Sequence, residues 1–304
     1  RTLWAGRRER HLMAKQQRVV TDSMIGLKLP DFARHSDRVA TVLGHNPGPF
    51  TGPGTNTYIV GVGGRPILLD TGAGMPIYEE LLPHALKEVS STGELERVVC
   101  THAHADHIGG IPQVHRRFGE LEVLKKPWPG KDEVAGAPIR AIEDGAIVRT
   151  DGATLRAIHT PGHAPDHLCY YLEEERALFT GDVVLGAGTT VIPDDTGDLG
   201  QYMASLRRLL ELDLALIYPA HGPVIRNPRQ KIEEYIAHRE LRERQVLEAL
   251  AGGEPLEPMQ IVKKIYVDVP EYLHAAASNS VRSHLKKLRN EGRVVEHESR
   301  WSLN

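Results

Sequence analysis

The pattern of hydrophobic positions changes once along the chain, near residue 228. Before that point, short apolar runs alternate with Gly- and Pro-rich turns, a pattern typical of β-strands in an α/β domain. The predicted strands lie at 39–43, 55–60, 66–70, 97–100, 120–124, 146–149, 154–159, 167–172, 177–180 and 215–218. Helical spacing of apolar residues predicts helices at 77–89, 110–118 and 199–210. Because each half runs from strands to helices, an αββα sandwich is predicted over residues 37–227.

From residue 228 onward the pattern is helical. A long charged helix is predicted at 229–250, its charges most simply forming a solvated face, and Gly252-Gly253 marks a boundary after it. Short helices are predicted at 256–266, 272–277 and 280–290, and a β-hairpin at 293–303. Three helices followed by a hairpin are the plan of a winged helix, so residues 228–304 are predicted as a small helix plus winged-helix-like domain.

Two polar segments are expected outside this regular structure. Residues 1–36 are rich in arginine near their start and lack lasting apolar periodicity, so they are predicted as a poorly ordered N-terminal arm or an added segment. Residues 125–136 are polar and interrupted by Pro and Gly, which predicts a surface loop.

Composition narrows the class of protein. The 304 residues are 40% hydrophobic and 25% charged, with a formal net charge of −3, which argues against a generally basic surface and leaves room for a local basic patch. Cys100 and Cys169 lie in apolar runs and are read as buried free thiols, although a disulfide stays open. No apolar run is long enough to predict a transmembrane helix. A cytoplasmic location is expected, with the mitochondrial matrix as the alternative.

The densest cluster of reactive side chains is the sequence THAHADHIGG at 101–110. It places His102, His104, Asp106 and His107 within six positions, directly after a predicted strand. Imidazole nitrogens and carboxylates are the ligands that Zn²⁺ favours when sulfur is absent. Residues two apart in an extended segment share one face, so the two leading histidines are expected at one metal and the Asp-His pair at a second metal beside it. A solvated histidine-rich loop is the alternative interpretation.

The same arrangement of strand, sharp turn and metal-type side chain recurs at Asp70, His163, Asp182 and His221. Strand ends that gather at one edge of a sheet are where α/β proteins build their sites. For Asp70 we expect a hydrogen bond to a metal-bound histidine, with a simple Asx-turn as the alternative.

Taken in order, these motifs resemble the five motifs of the metallo-β-lactamase superfamily, with Asp70 as the first. The phrases GTNTY at 54–58, TPGH at 160–163, GAGTT at 186–190 and PAHGP at 219–223 are most similar to the β-lactamase-like endoribonuclease subgroup found in mitochondria. The winged-helix tail agrees with that subgroup, so the resemblance extends over nearly all of the chain.

The resemblance implies a set of metal ligands and a mechanism. One zinc would be held by His102, His104 and His163, the other by Asp106, His107 and His221, with Asp182 bridging; Mn or Fe in place of zinc stays open. A metal-bridging hydroxide would attack a phosphorus or carbonyl centre, and Asp106 would orient it and receive its proton. His167 is expected behind the ligands or facing substrate, with a packed strand histidine equally open. Asn56 is placed tentatively at the substrate.

The substrate is less constrained, because one fold hosts many reactions. The leading prediction is an endoribonuclease acting on single-stranded RNA. Beyond the resemblance, it is supported by a stripe of basic residues in the tail that could bind phosphates: Arg282, Lys286, Lys287, Arg289 and Arg293. Ordinary surface charge is the alternative interpretation of this stripe. The second prediction is a small-molecule hydrolase, namely a glyoxalase-II-like thioesterase, a lactonase or a promiscuous β-lactamase. A third is a metal sensor whose winged helix binds DNA or dimerises. No membrane partner is expected, and a homodimer stays open.

Overall fold

The computed structural model describes Met24, residues 26–267 and residues 274–304. Most of the predicted arm 1–36 therefore lies outside the described residues, as do the first two residues of the predicted helix 272–277. Backbone contacts divide the chain into two compact units, of which the first holds both large sheets and the second includes residues 191–211 and 232–304.

The first sheet has seven strands that follow one another in chain order. They are β1 Phe32–Arg34, β2 Val39–Leu43, β3 Asn56–Val60, β4 Ile67–Leu69, β5 Arg97–Val99, β6 Val123–Lys125 and β7 Ile139–Ala141. The pairs from β1 to β4 are antiparallel and those from β4 to β7 are parallel. Strands β2 and β3 are buried on both faces, which explains their continuous apolar runs.

The second sheet has five strands in the order β12-β11-β10-β9-β8. They are β8 Ile147–Thr150, β9 Ala153–His159, β10 Leu168–Leu172, β11 Ala177–Gly181 and β12 Leu216–Pro219. Only the β11–β12 pair within this sheet is parallel. Side chains from both sheets form one core between them, in which the rings of Tyr58, Phe179 and Tyr218 pack at centroid distances of 5.0–5.5 Å.

Three helices of the first unit pack against the first sheet. They are α1 Tyr78–Val89, α2 Ala105–Ile108 and α3 Ile111–Phe118. Their buried side chains, such as Leu82 and Ile111, share a second core with residues of the sheet such as Val98. The predicted helix at 110–118 corresponds to α3, whereas the four-residue α2 is too short to show a helical period.

The second unit is mainly helical and ends in a hairpin. Its elements are α4 Leu199–Leu209, most of α5 Pro228–Leu250, α6 Pro258–Ile265, α7 His274–Asn290, β13 Val294–His297 and β14 Arg300–Leu303. Trp301 of the hairpin packs with Leu285 of α7 and Ile261 of α6, which gives this part its own apolar core. The predicted α/β sandwich followed by a winged helix is confirmed.

Three details differ from the sequence prediction. Structure begins earlier than residue 37, because β1 pairs with β2 through Phe32 and Val42. The segment 125–136 is not wholly a surface loop, since Lys125 is the buried last residue of β6 and Asp132–Ala135 form a 3-10 turn. The two helices predicted at 272–277 and 280–290 form one helix over its described length. The domain boundaries at 36 and 227 stay predictions.

None of the helices in the described ranges combines the length and the apolar character needed to cross a lipid bilayer.

Candidate metal centre

The second half of the histidine-rich loop is held by hydrogen bonds to the segment that follows β4. Thr71, just after β4, donates to the carbonyl of His107 from its amide and from its hydroxyl, both at 2.8 Å. Gly110 closes the loop by donating to the carbonyl of Gly72 at 3.0 Å. A Cβ atom at Gly110 would lie 2.1 Å from the carbonyl oxygen of Thr71, so only glycine permits this approach. The Gly109-Gly110 pair of the motif is therefore a packing requirement.

Asp70 orients the loop from the end of β4, where its backbone has a φ of +57°. Its buried carboxylate accepts hydrogen bonds from the amide of Thr101 at 2.8 Å and from the hydroxyl of Thr101 at 2.9 Å. It also accepts from Nδ1 of His107 at 2.8 Å. With the proton fixed on Nδ1, the lone pair of His107 lies on Nε2, which is the form of imidazole that binds a metal.

One group of potential ligands consists of Asp106, His107 and His221, whose ligand atoms lie within 4.8 Å of one another. Nε2 of His221 is 3.3 Å from Oδ2 of Asp106, and Nε2 of His107 is 3.6 Å from the same oxygen. Within the described part of the chain, the fully buried Nε2 of His107 has no hydrogen-bond partner. A buried polar atom without a partner is uncommon, and a metal ion would satisfy this one.

A second group consists of His102, His104, His163 and Asp182, again with ligand atoms within 4.8 Å of one another. Nε2 of His102 lies 2.9 Å from Nδ1 of His104. His163, in the turn between β9 and β10, donates from Nδ1 to the carbonyl of Val191 at 2.7 Å, which leaves Nε2 as its ligand atom. The two nitrogens of the His-x-His pair therefore converge, as the two-residue spacing predicts.

Asp182 also approaches the first group. Its Oδ1 lies 3.1 Å from Nε2 of His221 and 3.4 Å from Nε2 of His107. One carboxylate thus belongs to the group around His102 and touches the group around His107. This is the position that a bridging ligand occupies.

The electrostatics of the cluster follow from close packing of imidazoles and carboxylates. Burial disfavours the charge on Asp106, but the rings of His107 and His221 outweigh it and lower the pKa of that carboxyl to about 2. Burial also opposes protonation of His221, but Asp182 and Asp106 raise its pKa to about 9. His102 differs, because burial and then the neighbouring histidines lower its pKa well below the ordinary value.

Seven side chains predicted as ligands therefore converge, and the chemistry of the set fits metal ions. Five imidazoles and two carboxylates match the preference of zinc, iron and manganese for nitrogen and oxygen donors. The carboxylates favour protons on His107 and His221 when no metal balances their charge. A cation bound among them would replace those protons and satisfy the buried nitrogen of His107.

His167 lies behind the ligands and is fully buried. Its Nε2 accepts a hydrogen bond from the amide of Asp182 at 3.1 Å, and its Nδ1 lies 3.0 Å from the hydroxyl of Thr160. A Cβ atom at Gly181 would lie 2.5 Å from Nε2 of His167, so glycine is required there. These contacts place His167 next to the backbone of a ligand-type residue, while its role among the three alternatives open from the sequence, behind the ligands, facing substrate or packed in a strand, stays a prediction.

Asn56, which the sequence placed tentatively at the substrate, contacts the backbone around a ligand-type residue, and its assignment to substrate binding stays a prediction. It is buried, and its amide donates to the carbonyls of Pro219 at 3.0 Å and Gly222 at 2.8 Å. Both acceptors flank His221, so Asn56 fixes the loop that carries this histidine. The apolar strand pattern around Asn56 gave no sign of acceptors more than 160 positions away.

The basic residues of the tail are not a free cationic stripe. Four of them pair with carboxylates: Lys286 with Asp194 at 2.6 Å, Lys287 with Glu243 at 2.6 Å, Arg289 with Glu296 at 2.8 Å and Arg293 with Glu243 at 2.9 Å. Arg282 donates to the hydroxyl of Ser278 at 3.2 Å. Local ion pairing therefore neutralises most of the charge that the sequence prediction assigned to phosphate binding.

Threonines with a positioning role were missed by the sequence analysis. Thr55 donates from its hydroxyl to Oδ2 of Asp106 at 3.3 Å, and Thr101 bonds Asp70 as described above. Thr101 opens the THAHADHIGG motif and Thr55 lies in the GTNTY phrase. Their position next to the histidines and Asn56 in the sequence was the feature that could have indicated a role at the site.

Replacing Asp70 with asparagine is expected to weaken metal binding by the group that contains His107 about 10- to 100-fold. The amide cannot act as an ionised acceptor for Nδ1 of His107, so the basicity of the opposite nitrogen falls. Competition with a chromophoric chelator measures the affinity. The exposed Asp37→Asn change is the control, and an Asp70→Asn affinity equal to that of the control would contradict the role assigned to this carboxylate.

The chain matches two protein-family descriptions in succession. Residues 50–221 match the metallo-beta-lactamase superfamily, and residues 258–301 match the beta-lactamase associated winged helix domain. The first match covers more than half of the chain and contains all seven convergent side chains. The chain therefore belongs to the metallo-β-lactamase superfamily, a family of hydrolases.

Relatives and solved structures agree with this membership. The chain is 44% identical over 264 residues to beta-lactamase-like protein 2 homolog of Caenorhabditis elegans, covering 86% of this chain and 87% of the relative. It is 46% identical over 223 residues to atrochrysone carboxyl ACP thioesterase AgnL7 of Paecilomyces divaricatus, covering 73% and 67%. A beta-lactamase domain protein from Burkholderia ambifaria shares the fold, with a TM-score of 0.79 at 20% identity over 93% of this chain and 97% of that one.

Proposed function

We propose that the chain is a dinuclear metal-dependent hydrolase whose substrate is a thioester. One zinc ion would be held by His102, His104 and His163, the other by Asp106, His107 and His221, and Asp182 would bridge them. The observation that carries the dinuclear part is the position of Oδ1 of Asp182, which belongs to one ligand group and lies 3.1 Å and 3.4 Å from two imidazole nitrogens of the other.

Two bound ions would supply Lewis acidity and a nucleophilic oxygen at neutral pH. The residues around them would orient and shield the reacting groups. Asp106 has a side chain 26% exposed, so its carboxylate can accept a proton from the attacking group while Thr55 keeps it in place. Asp70 and His167 position His107 and the backbone of Asp182. Five of the proposed ligands are at most 13% exposed, which limits competing water: His102, His107, His163, Asp182 and His221.

Two observations favour a thioester over RNA. The tail cations predicted to grip phosphates are mostly paired with carboxylates, which weakens the electrostatic term that dominates affinity for nucleic acid. A relative 46% identical is named atrochrysone carboxyl ACP thioesterase. Attack on a thioester carbonyl also suits the proposed centre, because two cations would stabilise the oxyanion that develops there.

Cleavage of single-stranded RNA is the second candidate. The winged-helix match over residues 258–301 favours it, since this fold places a helix and a hairpin where nucleic acid can bind. On α7, Arg282 hydrogen-bonds a hydroxyl and not a carboxylate, so its charge remains available for phosphate contacts.

A direct comparison of the two substrates decides between the candidates. Zinc-loaded protein is given an acyl thioester of N-acetylcysteamine and, separately, a labelled single-stranded RNA, beside the His104→Ala variant. Thioester hydrolysis that is lost in the variant supports the proposal. RNA cleavage lost in the variant, without thioester turnover, would replace the first candidate with the second.

The paired lysines give an independent prediction. Changing Lys286 and Lys287 to glutamine is expected to leave the salt dependence of any RNA binding nearly unchanged, because both charges are already neutralised by carboxylates. Filter binding at several salt concentrations measures the slope. A slope reduced by about one to two units would show that these lysines contact phosphates and would favour the RNA candidate.

A further inference from the structure

The turn that carries His163 is fixed by hydrogen bonds to its backbone. The carbonyl of Pro161 accepts from the hydroxyl of Ser205 on α4 at 2.8 Å. The carbonyl of Gly162 accepts from the amide of Asp198, just before the same helix, at 2.8 Å. These two bonds determine where the turn lies. The orientation of the imidazole is set by the bond that its second ring nitrogen makes.

That bond runs from Nδ1 of His163 to the carbonyl of Val191 at 2.7 Å. A carbonyl oxygen only accepts, so the bond keeps the proton on Nδ1 and leaves the lone pair on Nε2. Val191 begins the 191–197 segment, which contains neither a helix nor a strand. The side chain of Val191 is itself 40% exposed. The acceptor of His163 therefore depends on other contacts of this segment for its position.

Helix α7 provides such contacts from 91 and 92 positions further along the chain. The ammonium of Lys286 donates to the carbonyl of Asp194 and pairs with its carboxylate at 2.6 Å. The hydroxyl of Ser283 lies 3.2 Å from the carbonyl of Ile192 and 3.0 Å from the carbonyl of Asn279 on its own helix. An ammonium has three donors and a hydroxyl has one, so Lys286 makes the firmer contact.

The contact with this segment uses a separate side of α7. Val281, Leu285 and Leu288 pack in the apolar core that α7 shares with the hairpin. Ser283 and Lys286 are three positions apart, so they share another side of the helix, and Ser283 is only 7% exposed. The helix, the 191–197 segment and the turn at 161–165 all belong to the second unit. A second packed side is not required of a helix that only binds nucleic acid.

We propose that α7 positions His163 as a metal ligand, and that Lys286 is the residue that fixes the 191–197 segment. The inference rests on the proposed function, in which His163 holds one zinc ion. Loss of the group that orients a ligand histidine typically lowers metal affinity about 10- to 100-fold. Because Lys286 acts on the ring through Val191, the lower end of this range, about tenfold, is the effect expected from removing it.

The first test is the zinc affinity of the full chain with Lys286→Gln, measured by competition with a chromophoric chelator. The affinity for one of the two ions is expected to fall about tenfold, and Lys286→Arg, which keeps the charge, is expected to restore most of it. Lys287→Gln is the matched control, since Lys287 pairs with Glu243 and Glu291 at 2.6 Å.

This control separates positioning from general destabilisation. The side chain of Lys287 is 15% exposed and that of Lys286 is 43% exposed, so removal of Lys287 disturbs the fold more. A loss of zinc affinity caused by destabilisation alone would therefore be at least as large in Lys287→Gln. Equal zinc affinities for Lys286→Gln and Lys287→Gln overturn the proposal.

The Nδ1 proton of His163 gives a second readout that a merely structural role would not change. In NMR spectra of the zinc-loaded protein, this proton is identified by its loss in His163→Ala. Its exchange with solvent is expected to be at least about fivefold faster in Lys286→Gln than in the parent protein or in Lys287→Gln, because its acceptor is less firmly held. Unchanged exchange in Lys286→Gln overturns the proposal.

The His163→Ala variant also shows which of the two proposals fails. If it binds two zinc ions as tightly as the parent protein, the ligand set of the proposed function is wrong, and the positioning role of Lys286 is overturned with it. If His163→Ala loses one ion while Lys286→Gln keeps the affinity and the proton exchange of the parent, the metal centre stands and only the positioning role is overturned.

Discussion

Replacing His104 with alanine is expected to lower kcat/KM for the hydrolysed substrate at least about 1000-fold. His104 and His102 present ligand nitrogens 2.9 Å apart, and removal of one of them leaves an incomplete set for the first ion. A loss of about 4 kcal/mol in transition-state stabilisation is the size expected when a catalytic metal ion is removed. Steady-state kinetics with zinc-loaded protein measures the effect.

The metal content of the same variant is also expected to change. We expect the parent protein to bind two ions per chain and His104→Ala to retain one, because the group of Asp106, His107 and His221 is intact. Elemental analysis after gel filtration measures the stoichiometry. The exposed His84→Ala on α1 is the matched control and should change neither activity nor metal content. Parent-level turnover in His104→Ala would contradict the role of this histidine.

Replacing Lys125 with methionine is expected to lower the free energy of unfolding by about 3–5 kcal/mol. The ammonium of Lys125 is fully buried and pairs with Asp166 at 2.6 Å and with Asp132 at 2.8 Å. Burial raises the pKa of the Asp166 carboxyl, and the charge of Lys125 opposes that rise. Without the lysine, one buried carboxylate loses its counter-charge. Urea denaturation followed by circular dichroism measures the change.

A neighbouring lysine provides the control for this effect. Lys126 pairs with Glu143, whose side chain is 64% exposed, so Lys126→Met is expected to cost no more than about 1 kcal/mol. Changing Asp166 to asparagine in the Lys125→Met background should recover part of the lost stability, because no unpaired charge is then left at that position. Equal stabilities for Lys125→Met and Lys126→Met would show that the buried triad contributes little.

The local pattern of hydrophobic and polar residues was sufficient to predict most strands of the sandwich and the cluster of histidines and aspartates. The strands read as continuous apolar runs because both of their faces are covered, and the ligand-type residues directly follow strands or turns. His102 follows β5 of the first sheet, whereas Asp182 and His221 follow β11 and β12 of the second, so the ligand-type side chains come from strand ends of both sheets. That the structure brings these side chains together supports their proposed roles as ligands.

The elements that local pattern missed depend on distant partners or on weak local preferences. Strand β1 has only three residues, Phe32–Arg34, and is defined by its pairing with β2. Helix α7 runs through Ser278, Asn279 and Ser280, which favour caps and turns, so the sequence suggested a break there. The burial of Ser278 and Val281 shows that tertiary packing overrides that preference.

The exposure and pairing of charged side chains were the features that the sequence predicted least well. Lys125 begins a polar stretch and was read as exposed, but its partner Asp166 is 41 positions away. Lys287 and Arg293 read as part of a basic stripe, but both pair with Glu243 of the preceding long helix. Ion pairs between residues far apart leave no periodic signal, so the net charge of a surface cannot be read from one segment.

Anomalous diffraction from crystals grown with zinc, recorded on both sides of the zinc absorption edge, tests the dinuclear centre most directly. We expect two peaks about 3.5–4 Å apart, one among His102, His104 and His163 and one among Asp106, His107 and His221. The carboxylate of Asp182 is expected to lie between them. A single peak, or peaks located away from these seven side chains, would contradict a dinuclear centre at this site.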